Sequence, residues 1–168
     1  MKISHDSETA AVGQQVITAC ALIHHDFNDV KKVFLPKRAS TKKFLPDVYE
    51  IPGGHIDYNE NIVDGLKREI KEELEIDIRI GDPFFVFDYC NPIKGSHSIE
   101  VIYFATLVGT PDEIVIHPED HSVGTWFSED DLENVYSNSK SKDDPEYEAL
   151  RKAFKIMNGE RINLATNN

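Results

Sequence analysis

Between Asn61 and Leu74, the apolar residues Ile62, Leu66, Ile70 and Leu74 recur every four positions. That spacing draws one apolar stripe along an α-helix, and a helix striped this way must bury that face against another layer. Asn61 is a good N-cap, and Asp64 stands where a capping box places an acceptor side chain. The partner layer is written on both sides of the helix. Gln15–Ile23 is β-branched and apolar and reads as a buried strand. Val30–Leu35 is a second strand, with His24–Asn28 as the turn between them. Pro36 is expected to end that strand and open a loop to Pro46. Val48–Ile51 reads as a short strand closed by a Pro52-Gly53-Gly54 turn. Ile76–Ile80, Phe84–Tyr89, Ser98–Val108 and Thr125–Phe127 complete the strands. Ser128 caps a short helix, and Pro145–Met157 is a last amphipathic helix with Tyr147, Leu150, Phe154 and Met157 on one side. Ser137–Asp144 is a polar loop before it. Strands interleaved with helices predict an α/β fold, a mixed sheet covered by helices.

A chain of 168 residues predicts a single domain over 1–168, its core roughly 15–157, with 1–14 and 158–168 as peripheral tails. No apolar run approaches the ~20 residues of a membrane helix, so no membrane partner is expected. The first fourteen residues lack a signal-peptide apolar stretch. Two cysteines, Cys20 and Cys90, make no disulfide framework and no C-x-x-C pair, which points to a reducing, cytoplasmic setting. The net charge of −12 repels polyanions, so no DNA or RNA polymer is expected as partner. A small anionic substrate in such a field needs a local positive charge, such as a metal ion. Lys37, Arg38, Lys42 and Lys43 form the most basic local run. It is either a solvated loop or a rim that attracts phosphate. Composition leaves the oligomeric state open between monomer and homodimer.

Three carboxylates on the first helix carry the chemistry. Glu69, Glu72 and Glu73 stand at i, i+3 and i+4, within an arc of about 100° on one helix face. Held that close, like charges raise one another's proton affinity unless a cation offsets them. Mg²⁺, a hard divalent ion, suits such oxygens, and Mn²⁺ is possible. The plain alternative is a solvated acidic face in which Lys67 and Lys71 pair with neighbouring acids.

The surrounding spacing decides between them. Gly54, five residues, Glu60, seven residues, Arg68-Glu69-Ile70, Lys71, Glu72-Glu73-Leu74, Glu75 and Ile76 resemble the box of the Nudix hydrolase family at every specified position but one. The exception is Glu75, where the family carries Gly; a left-handed Glu there costs about 1 kcal/mol. The lead-in Tyr49-Glu50-Ile51-Pro52-Gly53-Gly54 and the downstream Trp126-Phe127-Ser128 with Asp130-Asp131-Leu132 extend the resemblance over roughly 15–157. It implies an α/β/α sandwich with the box as loop-helix-loop. It also implies a metal-dependent pyrophosphohydrolase that cleaves a nucleoside diphosphate linked to another group. On this resemblance Glu72 and Glu73 are the principal metal ligands. Glu69 is a third ligand or holds a metal-bound water, and a Gly53 or Gly54 carbonyl completes the set. Glu60 and Arg68 form a structural salt bridge.

The resemblance also implies a general base on the loop before the Trp126 strand, with Asp120 first and Glu119 second. Glu100 is a weaker rival, on a strand facing solvent, and His121 reads as an exposed loop histidine. The other histidines, His5, His24, His25, His55, His97 and His117, show no ligand spacing. Arg38 could contact phosphate or base, and Tyr49, Phe85, Phe87 and Tyr89 either stack on a base or fill the core. The substrate the resemblance implies is a small nucleotide: a (d)NTP of the mutator or sanitation type, or alternatively ADP-ribose or a nucleotide sugar, since Pro92 stands sixteen residues after Ile76 as in some ADP-ribose pyrophosphatases. A silent ligand sensor would lack box acids, and all are present. The isomerase branch of the fold needs an activated cysteine, which neither Cys20 nor Cys90 resembles. An mRNA-decapping role fits poorly with the charge.

Overall fold

A computed structural model of the chain describes residues 9–137 and 139–161. His5 and most of both expected tails lie outside the described residues. Six strands form one sheet in the order β4-β5-β1-β2-β6, with β3 beside β1. They are β1 (Gln15–Phe27), β2 (Val30–Arg38), β3 (Gly53–His55), β4 (Ile78–Asn91), β5 (Ser96–Leu107) and β6 (His121–Phe127). The long helices are α1 (Ile62–Leu74) and α2 (Pro145–Met157). β1 and β5 run parallel and the other pairs antiparallel, so the sheet is mixed, as expected.

β1 explains the layering. Its residues from Ala19 to Ile23 are buried on both faces, which only a sheet covered twice allows. Ala19, Ala21 and Ile23 pack with Leu66, Ile70 and Leu74 of α1. Cys20 and Leu22 pack with Tyr147, Leu150 and Phe154 of α2. The expected α/β/α sandwich is therefore the observed one. Asn61 caps α1 by accepting from the Val63 and Asp64 N–H groups.

Several local expectations are corrected. β1 continues through His24–Phe27, and only Asn28 and Asp29 turn, both at positive φ (49° and 67°). That is the two-residue turn whose twist matches a hairpin. β2 runs through Pro36, whose carbonyl accepts from the Glu50 N–H, so the missing proline donor breaks no pairing there. Val48–Ile51 contributes only a bridge between Tyr49 and Lys37, while Gly53 and Gly54, expected to turn, pair as a strand with β1. A side chain on Gly53 would overlap the Ala19 carbonyl, so the close approach of two backbones sets that glycine. The two strands expected over 76–89 are one, β4, with register irregularities around Pro83. A proline is tolerated there because β4 is an edge strand. β6 begins at His121 instead of Thr125. The short helix after Ser128 is a 3₁₀ helix over Glu129–Val135. In the loop before α2, Lys140 is buried, against the expectation of a solvated stretch.

Candidate active site

The face of α1 that carries the acids, the β3 glycines and the loop between β2 and β3 enclose a cleft of about 320 Å³. Glu69, Glu72, Glu73, Gly53, Gly54, Arg38 and Asp120 all line it. Gly54 is small for a reason local to the site: a Cβ there would overlap the Glu69 carboxylate.

Arg68 organises the helix side. Its Nε and Nη2 stand 2.9 and 3.0 Å from the two Glu60 oxygens, a bidentate pair. Nη2 also donates to the His55 carbonyl at 3.2 Å, and Nη1 lies 2.7 Å from Glu69 and 3.4 Å from Glu72. One guanidinium thus ties the loop ahead of α1 to the helix and orients two of the three acids. The third, Glu73, is half-buried, and its Oε2 is buried without a hydrogen-bond partner. Burial, then the charges of Glu50, Glu69 and Asp120, push the Glu73 carboxyl well above the usual range, with the Gly53 N–H acting the other way.

These observations test the fit of a divalent cation. The donors are the hard oxygens such an ion prefers, and Glu73 Oε2 is a buried acceptor that lacks a partner. Arg68 draws Glu69 and Glu72 toward itself, and among the described residues no three His, Cys, Asp or Glu side chains converge on one point. The donor set fits in chemistry, and closing on an ion requires side-chain rotation.

The opposite wall is built on Glu50, which the sequence reading quoted but assigned no role. Arg38 Nη1 contacts both of its oxygens, at 3.1 and 3.2 Å, and His121 Nε2 lies 2.9 Å from Oε1. Burial alone would favour the neutral acid, yet Arg38 and His121 hold the Glu50 carboxyl at about 2. Arg38 is therefore engaged inside the protein, and its Nε also donates to the Phe44 carbonyl at 3.0 Å. His121 is buried at 2% exposure, not on an open loop, because β6 starts at that residue. Asp120 pairs with Lys42 at 2.6 Å at the rim. Glu119 is exposed and outside the cleft lining.

Glu100 is buried, correcting its placement toward solvent. On β5 it shares a face with buried Ser98 and Ile102, a period of two that the sequence carried. Behind it, Lys140 pairs with Glu146 and donates to the Tyr49 carbonyl, while Glu146 accepts from the Ile51 N–H. Tyr49 packs edge-on against Phe127 (4.9 Å between ring centres) outside the cleft lining. Phe85 and Phe87 pack on the core beside α2, and Tyr89 alone of those aromatics reaches the cleft. Nothing in the sequence pattern marked Lys140 and Glu146, because their pairing spans a loop and a helix start.

A family profile described as the NUDIX domain matches residues 16–151. The chain belongs to the Nudix hydrolase family. Its relatives include an 8-oxo-dGTP diphosphatase of Buchnera aphidicola subsp. Schizaphis graminum, 43% identical over 47 residues, or 28% of this chain and 35% of that protein. An NAD-capped RNA hydrolase NudC of Stutzerimonas stutzeri is 28% identical over 120 residues, 68% of this chain and 41% of that protein. The chain thus spans well under half the length of these curated relatives. In three dimensions the Nudix fold is shared with a C. elegans Ap4A hydrolase binary complex at a TM-score of 0.66 and 22% identity, covering 86% of this chain and 98% of that one. Among the described residues, no helix is long and apolar enough to cross a membrane.

Proposed function

We propose that this Nudix protein is a Mg²⁺-dependent pyrophosphohydrolase acting on a small nucleotide, a nucleoside diphosphate linked to another group. The observation that carries the reading is that all three helix acids line one cleft with Gly53 and Gly54, and that Glu73 brings a buried, unpartnered oxygen to it. Glu72 and Glu73 hold the ion, with Glu69 and a Gly53 or Gly54 carbonyl completing the set. Once bound, a divalent ion offsets phosphate charge and acidifies the attacking water.

The chain's own residues supply the rest. Arg68 and Glu60 keep α1 and its preceding loop in register, so the acids face the cleft together. Lys42 at the rim draws the phosphates toward a protein that otherwise repels them. Asp120, steadied by Lys42, takes the proton of the attacking water. Glu119 has no part in this reading, because it sits outside the cleft. Arg38 acts through Glu50 and the Phe44 carbonyl, shaping the wall without binding phosphate itself.

The test is a panel of dNTPs, oxidised dNTPs, ADP-ribose, dinucleoside polyphosphates and nucleotide sugars with Mg²⁺ and with Mn²⁺, products resolved by chromatography. Cleavage within a phosphoanhydride, lost on chelation, supports the reading. Tight nucleotide binding with no product under either metal would make the protein a ligand sensor and overturn it.

A further inference from the structure

The cleft continues past the acidic helix into a second cavity of about 180 Å³, and Phe44, Glu50, Tyr89, Glu100 and Glu146 line both. None of these residues belongs to the metal-binding set assigned above. Phe44 and Tyr89 lie nearly parallel, 10° apart with ring centres 6.1 Å apart, and both are half-buried. This stacked pair lines the junction of the two cavities. The pair is held from both sides: Tyr89 stands on β4, and the Phe44 carbonyl is held by Arg38, whose guanidinium lies 6.0 Å from the Phe44 ring. An aromatic pair beside the cleft that lodges the helix acids suits a nucleobase, since every base has a π-face to stack. Three carboxyl groups line both cavities: Glu50 is held by Arg38 and His121, Glu146 by Lys140 and the Ile51 N–H, and the third is Glu100, 8% exposed.

We propose that the substrate's nucleobase lies against the Phe44–Tyr89 pair and that Glu100 reads its Watson–Crick edge, selecting a base that offers a ring-nitrogen acceptor beside an amine donor on that edge (adenine or cytosine) over guanine. The proposal rests on the nucleotide-hydrolase reading and adds which base the site takes. The chemistry follows from the donor inventory. A protonated carboxyl has one donor and one acceptor, matching adjacent N and NH₂ groups; an ionised carboxylate only accepts, matching the paired N–H donors of guanine.

The groups facing Glu100 decide which form is present. From β1 comes the Cys20 thiol, which donates to it; from β4, Tyr89; from the segment before β3, Glu50; from α2, Glu146; and from the preceding loop, Lys140. Burial and then the Glu146 charge raise the proton affinity of Glu100, with Glu50 adding to this and Cys20 and Lys140 opposing it. The balance keeps the proton on at neutral pH, the donor-and-acceptor form. As pH rises and the proton leaves, the match to adenine is lost and that to guanine is gained.

Two measurements test this. Calorimetric binding of AMP and GMP needs no turnover, so it stands even if the hydrolase reading fails. The ratio of kcat/KM for ATP and GTP, which share one phosphate chain, cancels pH effects on the reaction itself. Wild type is expected to favour the adenine compound by about tenfold near pH 6, a margin that shrinks severalfold toward pH 9. Glu100→Gln, whose amide keeps a donor and an acceptor at every pH, is expected to hold the preference flat across that range. Glu100→Ala is expected to lose it, and Phe44→Ala to weaken both bases alike. A preference for GMP near pH 6, or an unchanged ratio and pH profile in both Glu100 variants, overturns the proposal. Failure to hydrolyse any nucleotide while AMP binds selectively would overturn the hydrolase reading and leave the base site standing.

Discussion

Arg38 and Glu50 lock the inner wall of the cleft, Nη1 of the one standing 3.1 Å from Oε2 of the other. This pair, with His121, holds the Glu50 carboxyl at about 2 against the opposing effect of burial. The unfolded chain takes up the same proton near the ordinary value of about 4.3. The stability Glu50 contributes is therefore complete above that pH and is lost as pH falls toward 2. Glu50→Gln is expected to cost about 2–3 kcal/mol at neutral pH and to flatten the acid limb of stability between about pH 4.5 and 2. Urea denaturation at neutral pH and near pH 3 checks this. Equal acid sensitivity in both proteins would contradict it.

Glu73 offers the cleft its buried unpartnered oxygen. Glu73→Gln removes the charge while keeping the shape, so turnover is expected to fall by at least about a thousandfold and Mg²⁺ affinity with it. The fold should persist, since a neutral side chain suits a buried site better than an anion does. Near wild-type rates in this variant, with an unchanged circular dichroism spectrum, would remove Glu73 from the metal site.

Arg68 spans Glu60, Glu69, Glu72 and the His55 carbonyl. Arg68→Ala is expected to destabilise by about 1–3 kcal/mol, less than a fully buried pair because the side chain keeps some contact with water. Arg68→Lys should restore little, since an ammonium cannot form the fork to Glu60. Thermal melts of the two variants decide: full recovery by lysine would mean that charge alone, and not the planar fork, holds the loop.

Glu75 ends α1 at φ 57°, in the left-handed region where glycine is at ease and glutamate is strained. Its side chain lies 3.0 Å from His117, but more than half of it is exposed, so little is lost with it. Glu75→Gly is expected to raise stability by about 0.5–1 kcal/mol, a rise in Tm of about 1–4 °C. A lower Tm would show that the contact with His117 outweighs the backbone strain.

What could be read without a structure was whatever repeats along the chain. The four-residue spacing of Ile62, Leu66, Ile70 and Leu74 gave the helix and its buried face. The spacing of Glu69, Glu72 and Glu73 set their shared side, because helix geometry fixes angle from separation alone. Alternation along β5 held the burial of Glu100 in plain view. The left-handed end at Glu75 was legible too, from a single missing glycine.

Contacts between distant segments belonged to tertiary structure. Glu50 meets Arg38 and His121 because β2 and β6 are neighbours in the sheet, and no local pattern encodes that pairing. Lys140 is buried only because Glu146 and the Tyr49 carbonyl receive it; alone it would seek water. Arg38, one of a basic run, became an internal clamp for the same reason. Periodicity records which way a side chain points from its own element. What it then meets depends on how the elements close on one another, and that closure set the charge of the cleft wall and the junction with the second cavity behind it.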